Sequence, residues 1–518
     1  MNRIILIGNG FDLAHNLNTK YEHFIENFWR KTIDSLKKGY GVVDNEFITI
    51  STYFSTRLKK KIHPYVTEFP YEEIGKRIIN IEGTTDDFEK EIKKIISNVL
   101  SLQYWLDIET KEEEKREEYY KNISKKNATI EHNQYYKNSD DYRIIKDNEL
   151  GFAVEYRKNY KCVASLVSIN FKNKFLKIIS ENLSLKNWID IEEEYYKLLQ
   201  GIINKKNQKT YTNIKQLNKD FACIKKELEN YLIEKTTKGN EFNKTINENI
   251  YSEFKFEDFT KEGEKEIKNE AIQKAINYSK MNKKSYNYDL LDERTYLLLK
   301  DIIDSHTFSE KFINIWENDI RLKLWNNDKF YMYFHLVPFN LMFLNFNYSN
   351  TEKLYIEQKY EVPAKYGDDL IELKIYRNTI HIHGELENSE NPIIFGYGDE
   401  IGKEYEEIEN LNDNDFLENI KSIRYSDTNN YKRLLDYINS DKYQIYLFGH
   451  SCGLSDRTLL NTLFEHKNCV SIKPFYYYDE KKGTDNYSDI VRNISRHFKD
   501  KAVMREKVVN KEYCKPLS

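Results

Sequence analysis

Short apolar runs that end in Gly, Asn, Asp or Ser occur near both ends of the chain. They are RIILIGNG (3–10), NLMFLNFNYSN (340–350), NTIHIHGE (378–385), PIIFGYGD (392–399) and YQIYLFGHS (443–451). Helical patterns follow several of these runs, for example SDRTLLNTLFEHK (455–467) after the last one. Strands that alternate with helices predict a parallel sheet, and the ligands of such sheets bind beyond the carboxyl ends of the strands.

The middle of the chain has a different pattern. No proline occurs between residues 71 and 337 and glycines are sparse there, so helices meet few interruptions. The first apolar run precedes this stretch and the others follow it. The sequence therefore predicts one α/β domain, at residues 1–50 and 335–518, that is interrupted by an all-helical insertion at residues 51–334.

Two segments of the insertion, 84–106 and 187–199, place apolar residues at helical spacing behind an acidic first turn. Acidic side chains at a helix N-terminus complement the helix dipole. We expect these carboxylates to cap helices, with a position in a ligand pocket as the alternative. The residues concerned are Asp87, Glu89, Asp190 and Glu192, and Asn187 is a candidate cap.

Charge and composition exclude several classes of function. The 518-residue chain carries a net charge of −4, so it has no general attraction to nucleic acid or anionic membranes. No apolar stretch approaches the roughly 18 residues that span a membrane, and the N-terminus enters a glycine turn without a signal-peptide cleavage region. We expect a cytoplasmic protein. The five cysteines form no C-x-x-C pair, which argues against a disulfide framework and a structural zinc site.

Two strand ends carry candidate binding residues. The turn GNGFD (8–12) can bring main-chain N–H groups close to a phosphate or ribose, because glycine permits tight turns. The pattern is not G-x-G-x-x-G, so a plain tight turn is an equal alternative. FNYSN sets Asn347 and Tyr348 at the next strand end, where the alternative is a turn asparagine that bonds its own main chain.

The segment HIHGE (381–385) places His381 and His383 on one side of a strand, since strand side chains alternate with period two. A metal site needs three or four ligands, and the sequence offers no further His or Cys cluster. The preferred interpretation is a single base, His383, beside Gly384, which lets a ligand approach the main chain. The alternative is a half-buried structural histidine.

The loop FGHSCGLSD (448–456) contains G-x-S-x-G between an apolar run and a helical pattern, which is the order of a nucleophile elbow. The chain after Ser451 is too short for the remaining strands and helices of an α/β-hydrolase. The alternative is a loop that contacts a ligand through Gly449, Ser451 and Asp456. The residues that could complete a triad are Asp456, Asp479, His466 and His497.

In their order along the chain, the motifs G-x-G, N-Y, H-G and G-x-S-x(4)-D resemble the sirtuin-like NAD-binding fold. In that fold a glycine loop, an Asn strand end, a catalytic His-Gly and a Gly-x-Ser loop surround one NAD. Longer blocks are similar to the AbiH-type abortive infection family of bacterial anti-phage proteins. These blocks are ILIGNGFDLAHNLNTKY, NWIDIE, NFNYSNTEKLY, HIHGEL, IIFGYG and FGHSCGLSD.

The resemblance implies a sirtuin-like, Rossmann-type parallel sheet that binds NAD as its substrate. It implies that Asn347 orients the ribose and a water, and that His383 is the base that helps cleave the nicotinamide–ribose bond. Ser349 stands where sirtuin-like enzymes usually have Asp, and the cysteines of a sirtuin zinc module are absent, so protein deacylation is not expected. The implied NAD contacts are Gly8, Asn9, Gly10, Phe11, Asp12, Tyr348, Gly384, Gly449, Ser451 and Asp456.

We therefore expect phage-triggered hydrolysis of NAD, with no membrane partner. The helical insertion is expected to sense a phage component or to build a homo-oligomer. Two other functions remain open: a non-catalytic sensor that binds a nucleotide or ADP-ribose, and a serine hydrolase that works through Ser451.

Overall fold

The structure of the protein is a computed structural model that describes residues 1–38, 42–53, 142–147, 151–158, 161–186, 188–204, 210–236, 241–281, 336–356, 361–363, 370–372, 375–398, 400 and 402–518. The chain divides into two compact units, Met1–Thr19 with Glu227–Ser518, and Lys20–Lys226. The sequence instead predicts domain boundaries at residues 50/51 and 334/335. The helix predicted at 84–106, with Asp87 and Glu89, lies outside the described residues.

The first unit contains a five-stranded parallel sheet. Its strands are β1 (Asn2–Ile7), β2 (Asn340–Asn345), β3 (Tyr376–His381), β4 (Tyr443–Phe448) and β5 (Cys469–Phe475). They lie in the order β3-β2-β1-β4-β5, and each neighbouring pair is parallel. In this register Ile5 of β1 lies opposite Phe343 of β2 and Tyr446 of β4. The predicted α/β class with a parallel sheet is confirmed.

Four of the five apolar runs contain strands of this sheet. Residues 392–398, the described part of the remaining run, instead follow an irregular path, along which Ile394 N donates to His383 O at 2.8 Å and Tyr397 N to Asn419 O at 3.1 Å. The sequence does not predict β5, because Pro474 lies within it and proline disfavours a strand. Pro474 is tolerated because β5 is an edge strand of the sheet.

Both faces of the sheet are covered at β1, β2 and β4, which explains why these strands are mainly apolar. Ile4 and Leu6 pack into the core cluster on one face, and Ile5 and Ile7 pack into the cluster on the other. The first cluster includes side chains from the helices Asn430–Ser440, Arg457–Glu465 and Tyr487–Arg496, and the second includes side chains from Lys244–Ile250.

Most of the other elements of the first unit are short, and the longest is the helix Lys261–Met281. Among the described residues, the further helices are Asn9–Ala14, Lys353–Ile356, Lys403–Glu409, Lys421–Arg424 and Lys501–Lys507, with 3-10 turns at Phe256–Asp258, Asn414–Phe416, Leu454–Asp456 and Lys511–Tyr513. Two small antiparallel ribbons pair Glu361–Pro363 with Leu370–Glu372, and Tyr478–Asp479 with Thr484–Asp485. In the parts of the chain that the structure describes, no helix combines the length and apolarity needed to cross a membrane.

A buried cation anchors β1. Arg3 is 0% exposed, and its guanidinium lies between the rings of Phe254 (4.8 Å) and Tyr446 (4.2 Å). Its Nη1 donates to the carbonyl oxygens of Ile250 (2.9 Å) and Ser252 (2.6 Å). Cation–π contacts and charge-assisted hydrogen bonds compensate the loss of water from this charge. The segment after the helix Lys244–Ile250 is therefore fixed to the sheet.

The second unit contains an antiparallel sheet, so the prediction of an all-helical insertion is wrong. A lack of proline removes helix breakers without favouring a helix over a strand, and VSINF at 167–171 alternates with period two and is rich in β-branched residues. The strands lie in the order Val42–Asp44, Ile48–Tyr53, Lys161–Phe171, Gly151–Lys158 and Tyr142–Asp147. The described part of this unit also contains the helices Tyr21–Lys38, Lys174–Lys186 and Ile191–Ile203, and Ile214–Thr236 spans the boundary at 226/227.

The cap of the helix Ile191–Ile203 is Asp190, and the candidate cap Asn187 lies outside the described residues. The Asp190 carboxylate accepts hydrogen bonds from the main-chain N–H groups of Glu192 (3.0 Å) and Glu193 (3.1 Å). A side-chain acceptor at this position satisfies donors that the first turn leaves unpaired. The capping interpretation of Asp190 is confirmed.

Two loops of the first unit meet main chain to main chain at the carboxyl ends of β1 and β4. Gly10 N donates to Gly449 O at 2.8 Å. A Cβ on Gly8 would lie 2.5 Å from His450 Cα, and one on Gly10 would lie 2.7 Å from Gly449 Cα. Gly449 has a φ of +71°, and a Cβ on it would lie 2.2 Å from Phe11 N. This packing accounts for the glycines of both loops without a ligand.

Replacing Gly449 with alanine should destabilise the protein more than Gly483→Ala does. Gly483 has a similar φ of +62° but nothing within 4 Å of its Cβ position, so alanine there meets only the left-handed backbone penalty of about 1 kcal/mol. Gly449→Ala adds a clash with the main chain, which should cost a further ~1–3 kcal/mol. Thermal unfolding of the two variants measures the difference. Equal melting temperatures would contradict the packing of these loops.

Candidate functional site

The carboxyl ends of four parallel strands carry the residues that the sequence singles out. The chain passes from β1 outward to β3 and then crosses to β4 on the other side of β1, so the strand order reverses between β1 and β4. Ligands of open α/β sheets bind at such a reversal. The segment 8–12 follows β1, Asn347 follows β2, His383 follows β3 and the segment 449–456 follows β4.

Asp12 lies in the helix Asn9–Ala14, which follows β1, and is 2% exposed. Its carboxylate accepts hydrogen bonds from Ser349 Oγ (2.9 and 2.7 Å) and Thr351 Oγ1 (2.8 Å). Burial raises the pKa of Asp12 to about 6, although the hydrogen bonds from these hydroxyls oppose the rise. Ser349 thus supplies a donor, whereas an aspartate at this position would bring a second carboxylate to Asp12.

Asn347 is half-buried and bound to the end of β1. Its Nδ2 donates to Gly8 O at 3.0 Å. Asn345 holds the turn around it, because Asn345 Oδ1 accepts from Asn347 N (2.8 Å) and Asn345 Nδ2 donates to Ser349 O (3.0 Å). The residue that bonds its own main chain is therefore Asn345, and Asn347 bridges the ends of β1 and β2.

Three other residues expected to contact NAD have different surroundings. Phe11 is completely buried and stacks on Phe448 with ring centres 6.3 Å apart, so it packs in the core. Asn9 and Tyr348 are half-buried. Asn9 Oδ1 accepts from Thr19 Oγ1, and the Tyr348 hydroxyl donates to Ile394 O at 3.3 Å.

His383 is 4% exposed and lies among aromatic rings. The ring of Phe346 contacts it edge to face at 5.0 Å, and the Tyr425 ring stacks parallel to it at 6.3 Å. His383 Nε2 lies 3.3 Å from Asp456 Oδ1 and 3.4 Å from the Tyr425 hydroxyl. Burial, together with the nearby Lys421 ammonium, lowers the pKa of His383 to about 4, although the Asp456 carboxylate opposes this. The imidazole is neutral at neutral pH.

Asp456 is the centre of a buried charge cluster. Lys421 Nζ donates to its Oδ1 at 2.9 Å, and His450 Nε2 lies 3.5 Å from its Oδ2. Burial opposes ionisation, but Lys421 and His383 hold the pKa of Asp456 well below its usual range. Its side chain makes no capping hydrogen bond to the helix Arg457–Glu465. Asp456 therefore binds side chains from three segments instead of capping a helix.

His450 completes the cluster from the loop after β4. Its Nδ1 accepts a hydrogen bond from Cys452 N at 3.0 Å. The ring proton then lies on Nε2, which faces Asp456. The ring of Phe346 contacts His450 at 4.4 Å as well as His383, so one aromatic ring separates the two histidines.

His381 and His383 have different partners. His381 Nε2 lies 2.9 Å from Glu352 Oε1, and Glu352 Oε2 accepts from Asn345 Nδ2 at 2.8 Å. Burial opposes protonation of His381, but the Glu352 carboxylate raises its pKa above the ordinary value. Because β3 ends at His381, the period-two alternation does not extend to His383. Within the described ranges, no three His, Cys, Asp or Glu side chains are grouped to hold a metal ion.

Gly384 follows His383 in a left-handed conformation, with a φ of +85°. A Cβ there would lie 2.3 Å from Pro392 O, so the run at 392–399 packs directly on this glycine. The close approach that the sequence predicts at Gly384 is thus made by the chain itself.

Ser451 lies on the surface of the loop after β4. The left-handed backbone positions are Gly449 and Cys452, on either side of it. Its carbonyl oxygen accepts from Asn493 Nδ2 at 2.7 Å. Among the residues that the structure describes, no histidine bonds Ser451 Oγ, so the base that a nucleophilic serine needs is absent there.

The sequence misses three members of the cluster around Asp456. His450 lies within FGHSCGLSD, between Gly449 and Ser451, but it occupies a variable position of the G-x-S-x-G pattern. Lys421 and Tyr425 follow a stretch without a recognisable motif. A buried lysine gives no local signal, because only its burial against a carboxylate marks it.

Residues 248–478 match the model of a family described as bacteriophage abortive infection AbiH. The match covers less than half of the chain and includes Asn347, His383 and the loop up to Asp456, whereas β1 and the second unit lie outside it. No curated protein and no solved structure matches the chain. The family match supports the AbiH-type resemblance, and with it a role in anti-phage abortive infection.

Removing one charge of the Lys421–Asp456 pair should destabilise the first unit more than removing both charges. Asp456→Asn or Lys421→Met alone leaves a buried charge uncompensated and should cost about 3–5 kcal/mol. The double variant Lys421→Met/Asp456→Asn leaves neither charge and should be more stable than either single variant. Thermal unfolding of the three proteins provides the comparison.

The matched control is Asp427→Asn. Asp427 pairs with Arg424 at 3.2 Å, and these side chains are 47% and 26% exposed. Such a pair is worth about 1 kcal/mol or less. If the effects of the two single variants simply add in the double variant, the buried cluster does not have the coupling described here.

Proposed function

We propose that the chain acts in anti-phage abortive infection by hydrolysing NAD at the nicotinamide–ribose bond, with Asn347 and His383 at the reacting centre. The observation that carries the proposal is that four blocks far apart in sequence meet at the carboxyl end of one parallel sheet, where its strand order reverses. The family match adds the biological role. In the proposal the sheet is of sirtuin-like, Rossmann type.

Cleavage of the nicotinamide–ribose bond needs fewer catalytic groups than ordinary glycoside hydrolysis. Nicotinamide leaves as a neutral molecule from a cationic ring, so no general acid is needed. Ordinary glycoside hydrolysis, in contrast, uses two carboxylates. The protein must stabilise an oxocarbenium-like ribose, hold a water in position and accept its proton.

His383 fits the role of the base. Its pKa of about 4 leaves it neutral at pH 7, so it can accept a proton, although as a weaker base than an ordinary histidine. Nε2 faces Asp456 at 3.3 Å, so in the proposal Nδ1 receives the proton of the attacking water. Asp456 then stabilises the imidazolium that forms, as a carboxylate does behind a catalytic histidine. General-base assistance of this kind contributes about 10² to 10⁴-fold.

Asn347 and Asp12 fit the cationic ribose. Asn347 is fixed through Nδ2 on Gly8 O, which leaves its side-chain oxygen to orient the ribose or the water. Asp12 lies beneath the same turn, and its pKa of about 6 means that it is mostly ionised at pH 7. Its negative charge favours a positive charge that develops above it.

Entry of the substrate requires a change from this closed arrangement. His383 is enclosed by Phe346 and Tyr425, and its Nε2 is paired with Asp456. In the proposal these rings move when the protein is activated, so the resting protein spares cellular NAD until infection. Recognition of a phage component, or assembly of copies, is assigned to the second unit.

A second candidate is a sensor that binds NAD or ADP-ribose without turnover. The burial of His383 and its pairing with Asp456 favour this candidate, because a structural histidine needs no access to substrate. The two candidates differ in the release of nicotinamide.

Asn347→Ala and His383→Ala should each abolish phage protection and the loss of NAD that accompanies infection. Bacteria that express each variant are infected with a panel of phages, and plating efficiency, NAD and nicotinamide are measured. Infected cells supply the natural trigger, so a closed resting state does not hide activity. Loss of the base should lower turnover by at least about 10²-fold.

Asn439→Ala is the matched control, since Asn439 is an exposed residue in the last turn of the helix Asn430–Ser440, before β4. It should retain protection and NAD loss. Ser451→Ala removes at most one neutral hydrogen bond, worth ~0.5–1.5 kcal/mol, and should weaken activity only several-fold. Full NAD loss in folded His383→Ala would remove His383 from the mechanism, and complete inactivity of Ser451→Ala would favour the serine hydrolase. Protection by the wild type without NAD loss would favour the sensor.

A further inference from the structure

A cavity opens beside the edge strand β3, whose Thr379 and His381 line it. Its volume is about 500 Å³, within the range of about 300–1,000 Å³ typical of small-molecule sites. Neither His383 nor Asp456 lines it. Almost all of its lining side chains are polar, and the apolar exception is Ile356. A polar cavity of this size suits a small hydrophilic molecule.

The pair His381–Glu352 lies at the wall of the cavity and is already neutralised. Both residues are buried, and Nε2 lies 2.9 Å from Oε1. Two amides fix the main chain here, because Asn391 Nδ2 and Asn430 Nδ2 each donate to His381 O at 3.2 Å. These contacts hold the wall in place without a ligand, and such preorganisation lowers the entropic cost of binding.

One side of the cavity favours an anion. Arg433 lines it, and its described contacts are to neutral oxygens, Asn430 Oδ1 at 3.3 Å and Thr379 O at 3.2 Å. The N-terminus of the helix Asn430–Ser440 lies on the same side, and its first turn holds no acidic residue. Asn429 makes no capping hydrogen bond through its side chain. Guanidinium groups and helix N-termini both bind phosphate.

The other side favours hydroxyl groups rather than a cation. Glu385 is paired with Lys353 at 3.2 Å and accepts from Asn388 Nδ2 at 3.0 Å. Lys353 compensates Glu385, and His381 compensates Glu352. The third lining carboxylate, Glu390, is exposed to solvent, so the buried wall offers little uncompensated negative charge to an ammonium group. Each Glu385 oxygen accepts one of the bonds from Lys353 and Asn388 and keeps a further lone pair, with which it can accept a hydrogen bond from a sugar hydroxyl.

We infer that this cavity binds a phosphorylated sugar, with the phosphate on Arg433 at the helix N-terminus and the sugar hydroxyls toward Glu385. The site is separate from the cluster around Asp456 and does not depend on the hydrolysis of NAD.

Isothermal titration calorimetry of the full-length protein with ribose 5-phosphate tests the inference. Ribose 5-phosphate should bind at least about tenfold more tightly than ribose or inorganic phosphate, because each of these makes only part of the contacts. Arg433→Gln should weaken ribose 5-phosphate at least about tenfold while leaving the weak binding of ribose unchanged. Glu385→Gln should weaken both sugars.

Lys432→Gln is the matched control. Lys432 is exposed on the same helix turn and has the same type of charge as Arg433, but it does not line the cavity. The affinity of the Lys432→Gln variant for ribose 5-phosphate should stay within about twofold of the wild-type affinity. Thermal unfolding checks that each variant is folded. The inference is overturned if ribose 5-phosphate gives no binding heat, if Arg433→Gln and Lys432→Gln have equal effects, or if a free amino acid binds where ribose 5-phosphate does not.

Discussion

A single buried carboxylate holds the candidate site together. Asp456 accepts a hydrogen bond from Lys421 Nζ at 2.9 Å and faces His383 and His450, so the chain after β3, the chain after β4 and the helix Lys421–Arg424 meet at one charge. A charge in such a cluster cannot leave its partners without a large cost, because each partner is itself buried. The closed arrangement is therefore stable until a ligand or partner supplies compensating contacts.

The sequence predicts the parallel sheet because strands buried on both faces are continuous apolar runs, as in Ile4–Ile7 and Tyr443–Phe448. It does not predict β5, where Pro474 interrupts the pattern at the edge of the sheet. The antiparallel sheet of the second unit is missed for a different reason. A stretch without proline suits a strand as well as a helix. Lys161–Phe171 pairs on one side with Ile48–Tyr53, which is distant in sequence, and no local pattern specifies that pairing.

The site is predicted in part. The glycine loops at 8–12 and 449–456 do lie together, but glycine patterns do not distinguish a close approach to a ligand from a close approach to another main chain. Here Gly10 and Gly449 contact each other. His383 and Asp456 are each singled out by the sequence, but their pairing and the burial of Lys421 beside them arise only from tertiary structure.

The central proposal is that NAD binds where the carboxyl ends of β1, β2, β3 and β4 meet. Hydrogen–deuterium exchange of the purified protein tests it most directly, with an NAD analogue whose ribose ring oxygen is replaced by a methylene group and whose nicotinamide bond therefore resists hydrolysis. We predict slower exchange of main-chain amides at residues 8–12, 346–349 and 449–456 when the analogue is present. Unchanged exchange in these segments, with protection confined to other parts of the chain, would contradict the account.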